Sequence, residues 1–186
     1  MGPPVFAEKN GLCLALPSCE RGIGDVIRVP DSPALIAGVR IESLALWPDD
    51  RGYFMELHRL TTGLVAGFPP TAQASVALSY PGTIKAFHYH FEQHDCWNPA
   101  LGMFQVVLVD FRTGSRTFGK RNTIYTGHLK PWQILIPPGV GHGYKIIGGG
   151  DAMLVYLTDK VYNPKDEGRI PYNDPSINYD WETQHK

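Results

Sequence analysis

The sequence predicts an all-β domain, a sandwich or closed barrel, and three observations carry that expectation: abundant turn chemistry, short apolar runs and almost no helical periodicity. Glycine (20) and proline (16) make up about a fifth of the 186 residues, and both divide a chain into short extended pieces. The one helix-compatible window, Leu60 to Ala66, is too short for an ordinary helix. There is no internal repeat, no glycine-rich dinucleotide fingerprint and no phosphate-binding loop sequence, so a nucleotide-binding α/β fold has no support.

In chain order, residues 1–33 place Gly2-Pro3-Pro4, Pro17, Pro30 and Pro33 between short apolar stretches and read as an N-terminal extension or arm. Residues 34–186 read as one domain of ordinary size. Within it, strand-like runs fall at 38–42, 52–57, 74–78, 83–90, 103–111, 122–125, 132–136, 143–147 and 153–158. A period of two along 83–90 places Lys85, Phe87 and Tyr89 on one face and Ile84, Ala86, His88 and His90 on the other. The tail beyond Tyr162 is turn-rich but aromatic, which predicts that it lies on the body.

Charge and cysteine content narrow the function classes. Lys plus Arg number 17 against 18 Asp plus Glu, a balance with no broad footprint for nucleic acid or an anionic membrane. The longest apolar runs, 104–109 and 153–157, fall far short of the roughly 20 residues that span a bilayer. Cys13, Cys19 and Cys96 have no metal-binding spacing and are odd in number. With no secretory apolar segment after Met1, a reducing cytoplasm is the expected location.

Histidine is unevenly placed. His88, His90 and His94 cluster within seven residues, and His142 closes the run Pro137-Pro138-Gly139-Val140-Gly141-His142. Two readings stand on the residues alone. Four imidazoles at His88, His90, His94 and His142 suit a divalent transition metal such as zinc, iron, nickel or copper, and the same side chains suit a polar barrel mouth without metal.

The H-x-H pair with the distant P-x-G-x-x-H resembles the two motifs of cupins, whose jelly-roll barrel gathers a site from separate strands. Further segments make the resemblance more specific. Asp50-Arg51-Gly52-Tyr53-Phe54-Met55-Glu56, Lys85-Ala86-Phe87-His88-Tyr89, the run from Val109 to Lys120, the run from Gln133 to Tyr144, Tyr162-Asn163-Pro164 and Tyr172-Asn173-Asp174-Pro175 with Trp181 follow, in order, the pattern of the dTDP-4-dehydrorhamnose 3,5-epimerase family. The likeness covers about residues 35–181.

The resemblance implies a cupin-type jelly roll, a homodimer and no metal or other cofactor. It implies a dTDP-linked 4-keto-6-deoxyhexose as substrate, epimerised at C3 and/or C5 by proton exchange beside the ketone. His88 matches the family's base, Asp174 the carboxylate that orients it and Tyr156 the opposing acid. Arg51 and Glu56 match positions that bind the nucleotide across the dimer; Phe54, Gln73, Ser75, Lys85, His90 and His142 complete the expected substrate-binding set. Without the resemblance, Tyr156 is an ordinary core tyrosine, Asp174 starts an Asx turn, Arg51 is a hairpin residue and Glu56 an edge-strand charge.

The chain departs from the family pattern near the chemistry. Lys85 replaces an arginine, His90 a glutamine and Ser75 an asparagine. Asp95 aligns with the lysine that stabilises the enolate oxygen, which reverses the local charge. Either another group takes over that oxygen, Lys85 or a metal held by His90, His94 and His142 with His88 left free as the base, or the reaction has changed, because ligation of His88 would occupy the lone pair that takes a proton. The alternatives to the epimerase are therefore a metal-dependent cupin enzyme with another small substrate and a non-catalytic nucleotide-sugar-binding cupin.

Overall fold

The computed structural model describes residues 5–69 and 72–184, so Gly2, Pro3 and Pro4 of the expected arm lie outside the described residues. The chain forms β1 (Val5–Lys9), β2 (Leu12–Ala15), β3 (Asp25–Val26), β4 (Arg40–Ser43), β5 (Leu46–Asp49), β6 (Gly52–Met55), β7 (Gln73–Ser79) and β8 (Ile84–His90). It continues with β9 (Asp95–Leu101), β10 (Met103–Asp110), β11 (Arg121–Gly127), β12 (Trp132–Ile136), β13 (Val140–Ile147), β14 (Ala152–Thr158) and β15 (Glu167–Arg169). The helix-compatible window contains one 3-10 turn at Gly63–Val65, and no α-helix occurs among the described residues.

Two sheets make a jelly-roll sandwich. One has six strands in the order β15-β8-β13-β10-β11-β3; the other has five, β4-β12-β9-β14-β7. Hairpins β1-β2 and β5-β6 stand apart. The pairing of β10 shows why its run is apolar throughout. Phe104, Val106 and Leu108 pack between the sheets with Ile124, Ile134, Ile146 and Leu154, whereas Val107 and Val109 pack outward with Leu14, Phe87, Phe111, Ile177 and Trp181. A strand buried on both faces has no polar alternation to show. Truncating Leu108, which is fully buried, to alanine would cost about 2–5 kcal/mol.

That outer layer corrects the reading of residues 1–33 as an arm. Leu14, Ala15 and Ile27 are buried, and β3 joins the six-stranded sheet in parallel beside β11, so the described part of the extension is packed into the body. The C-terminal tail covers the same face, anchored where Trp181 Nε1 donates to the Tyr172 carbonyl at 2.8 Å.

The Asp110–Lys120 segment, prominent in the family resemblance, serves the framework. Buried Asp110 accepts hydrogen bonds from Arg112, Ser115 and Thr117. Burial alone would push its carboxyl up, but these bonds outweigh it and hold the pKa below the ordinary range.

Candidate active site

Between the sheets the apolar core gives way to a cavity of about 310 Å³. This is the small end of ligand pockets, which run roughly 300–1,000 Å³, and suits a sugar ring more than a whole nucleotide sugar. From the six-stranded sheet come Lys85, His88 and His90 on β8, His142 and Tyr144 on β13, and Glu167 and Arg169 on β15. The five-stranded sheet supplies Gln73 and Ala77 on β7, Asp95 and Trp97 on β9, and Leu154, Tyr156 and Thr158 on β14.

Local sequence explains how β8 and β13 present these groups. His142 pairs with His88 and Tyr144 with Lys85, so three steps along β8 oppose two along β13. The extra β8 residue is a bulge, and it moves Lys85 onto the face of His88 and His90. The regular alternation expected for 83–90 is corrected accordingly: Lys85 lines the cavity, and Ile84 and Ala86 pack in the outer apolar layer. Gly143 lets β13 approach that layer, because a Cβ there would collide with Ala86. At Gly168 a Cβ would collide with the Tyr89 ring; glycine thus lets β15 lie on β8 with Glu167 and Arg169 turned to the cavity.

His88 Nδ1 stands 3.2 Å from Glu167 Oε1, and Glu167 also accepts from Arg169 Nε at 2.7 Å. Burial lowers the His88 pKa, and the Glu167 charge opposes the shift. Deeper in, His142 Nδ1 lies 3.0 Å from the Val140 carbonyl, which can only accept, so this nitrogen carries the hydrogen. Its Nε2 faces Asp95 Oδ2 at 3.6 Å. Burial pushes the His142 pKa down to about 4, and the ring is neutral near pH 7. Asp95 accepts from Gln93 Nε2 at 2.7 Å and Trp97 Nε1 at 3.1 Å, and its Oδ1 is 3.8 Å from His90 Nε2.

Comparison with known proteins completes this geometry. The sequence profile described as dTDP-4-dehydrorhamnose 3,5-epimerase matches residues 33–186. The chain belongs to the dTDP-4-dehydrorhamnose 3,5-epimerase family. It is therefore an isomerase of the epimerase kind. The spore coat polysaccharide biosynthesis protein SpsL of Bacillus subtilis is 44% identical over 154 residues, covering 82% of this chain and 100% of SpsL. The Legionella pneumophila epimerase solved with dTDP-4-keto-L-rhamnose superposes with a TM-score of 0.68 at 26% identity, covering 80% of each chain. ChmJ, a 3'-monoepimerase of Streptomyces bikiniensis solved with dTDP-quinovose, gives 0.68 at 28% identity, covering 76% of this chain and 74% of its own.

Of the residues that the family pattern assigns to the site, the cavity brings together His88, Tyr156, Gln73, Lys85, His90 and His142. Ser75 does not line the cavity itself but holds Gln73, whose Nε2 donates to Ser75 Oγ at 2.9 Å. Arg51, Phe54 and Glu56 lie on or beside the β5-β6 hairpin and do not line this chain's cavity. Arg51 pairs with Asp49, Glu56 with Arg59, and Phe54 is 66% exposed.

Two expected site residues are corrected. Asp174 does not line the cavity; its Oδ1 caps a turn by accepting from the Ser176 N–H at 2.8 Å, and the carboxylate beside His88 is Glu167. His94 leaves the expected four-histidine metal set, because its Nδ1 turns to Asp159 Oδ2 at 2.9 Å and Asp159 also accepts from the His94 backbone N–H. Sequence reasoning missed Glu167, although Glu167-Gly168-Arg169 carries the signal of a short strand with two charges on one face.

Proposed function

We propose that the chain epimerises a dTDP-linked 4-keto-6-deoxyhexose at C3, C5 or both, with His88 as base and Tyr156 as acid. The observation that carries this reading is their placement on opposite sheets across one cavity. Inversion needs that arrangement, since the proton leaves one face of the ring and returns to the other. His88 Nδ1 faces the Glu167 carboxylate, which leaves Nε2 to take the proton beside the ketone and stabilises the resulting imidazolium. The electron pair of the broken C–H bond moves into an enolate; Tyr156 donates its hydroxyl proton to the opposite face, and exchange with water resets both groups. Lys85, brought onto this face by the bulge, is the cation for the enolate oxygen.

The nucleotide-binding part of the proposal requires a second copy. Arg51, Phe54 and Glu56 lie outside their own chain's cavity, on a hairpin whose Trp47 and Phe54 are 63% and 66% exposed. A homodimer in which this hairpin reaches the partner's cavity gives these residues a nucleotide to contact. Sedimentation is expected to show a species of twice 20.7 kDa, and monomer alone at micromolar concentration would reject the dimer. A cytoplasmic location is proposed on the free thiols Cys13, Cys19 and Cys96; among the described residues no helix is long and apolar enough to cross a membrane.

The test is incubation with dTDP-4-keto-6-deoxyglucose in deuterium oxide, followed by proton NMR of the product. Deuterium at C3, C5 or both with inverted configuration is expected, and the labelled centre identifies the reaction. An unlabelled, unchanged sugar would overturn the proposal.

A further inference from the structure

The least explained cluster in the cavity is His90, Asp95 and His142. One ligand atom from each lies within 4.8 Å of the others, and all three residues are buried. Asp95 joins them from the five-stranded sheet, whereas both histidines come from the six-stranded sheet. Around its carboxylate are two neutral donors, Gln93 and Trp97, and two imidazoles; among the described residues no lysine or arginine forms an ion pair with it. A buried carboxylate in such a place is normally matched by a cation.

The hydrogen bond of His142 sharpens the point. Its Nδ1–H is committed to the Val140 carbonyl, which leaves Nε2 as the atom directed at Asp95 Oδ2 across 3.6 Å. His90 Nε2 is 3.3 Å from the Gln93 amide nitrogen and 3.8 Å from Asp95 Oδ1. These separations compare with the roughly 3.4 Å between ligand atoms of a tetrahedral ion bound at about 2.1 Å. His88 and His94 lie outside this group, whose ligand atoms come from His90, Asp95 and His142.

We infer that His90, Asp95 and His142 bind one divalent first-row transition-metal cation per chain, joining the two sheets inside the cavity. Two imidazole nitrogens and one carboxylate oxygen are the donor set of such ions, and three protein ligands leave a position open. The binding stands apart from the epimerase reading above, in which Lys85 serves the enolate oxygen.

The test is metal stoichiometry on the full chain, independent of turnover. Chelator-treated protein is titrated with Zn2+, Co2+ and Mn2+, and bound metal is measured by plasma mass spectrometry alongside thermal melting. At least one ion is expected to saturate near one per chain and raise the melting temperature. Asp95→Asn, which keeps shape and loses charge, and His90→Gln, which removes a second ligand, are each expected to weaken binding at least about tenfold. His94→Ala leaves it intact. Saturation by none of the ions, or wild-type affinity in either ligand variant of native circular dichroism, would overturn the site. Failure of the deuterium assay with stoichiometric metal would overturn the epimerase reading alone.

Discussion

The two sheets meet the cavity with unlike faces. The six-stranded sheet offers three imidazoles, His88, His90 and His142, with Lys85, Glu167 and Arg169 around them; the five-stranded sheet offers the Tyr156 hydroxyl, the Gln73 amide and one carboxylate, Asp95. The first face suits taking a proton, the second giving one. A sandwich whose layers are built from distant parts of the chain can therefore place base and acid on opposite sides of a flat intermediate, which one sheet alone cannot do. A second difference lies within the six-stranded face itself: His88 is half-exposed beside Glu167, whereas His90 and His142 are buried against Asp95.

Substitutions on each face can break or sharpen this division. His88→Ala is expected to lower turnover by about 10²–10⁴ with little change in KM, as measured by steady-state kinetics; turnover within tenfold of wild type would remove the base from this sheet. Glu167→Gln keeps the shape beside His88 and loses the charge, so kcat should fall about tenfold at unchanged KM. An equal loss with Asp174→Asn would mean that the tail, not β15, supplies the orienting carboxylate. The smallest effect is expected for His94→Ala: the ion pair that this partly exposed histidine makes with Asp159 is worth under about 1 kcal/mol, and turnover should stay within twofold.

The same contrast runs through what was legible in the sequence. The six-stranded face shows because its signals are local: H-x-H on a strand and P-x-G-x-x-H at the next one. Its bulge was invisible, since an extra residue is defined only against the partner strand, and that residue is what turns Lys85 inward. β9 on the other sheet was not foreseen at all. Pro99 argues against a central strand, but β12 pairs with β9 only at residues 95–97, so the proline needs no donor on that side. Asp95 and Asn98 look like surface residues, yet both are buried; Asp95 accepts from Gln93 and Trp97, two residues to either side, and Asn98 Oδ1 from the distant Gln133 Nε2 at 3.0 Å. That Glu167 rather than Asp174 stands beside His88 likewise follows from how the tail packs, which no spacing encodes.

Tyr156→Phe in deuterium oxide tests the two-faced arrangement most directly, because it separates removing a proton from inverting a centre. With His88 intact and the facing hydroxyl gone, the substrate should acquire deuterium at the reacting carbon while keeping its configuration, and inverted product should form about a hundredfold more slowly. Inversion at the wild-type rate would contradict the account and place the acid elsewhere than on the five-stranded sheet.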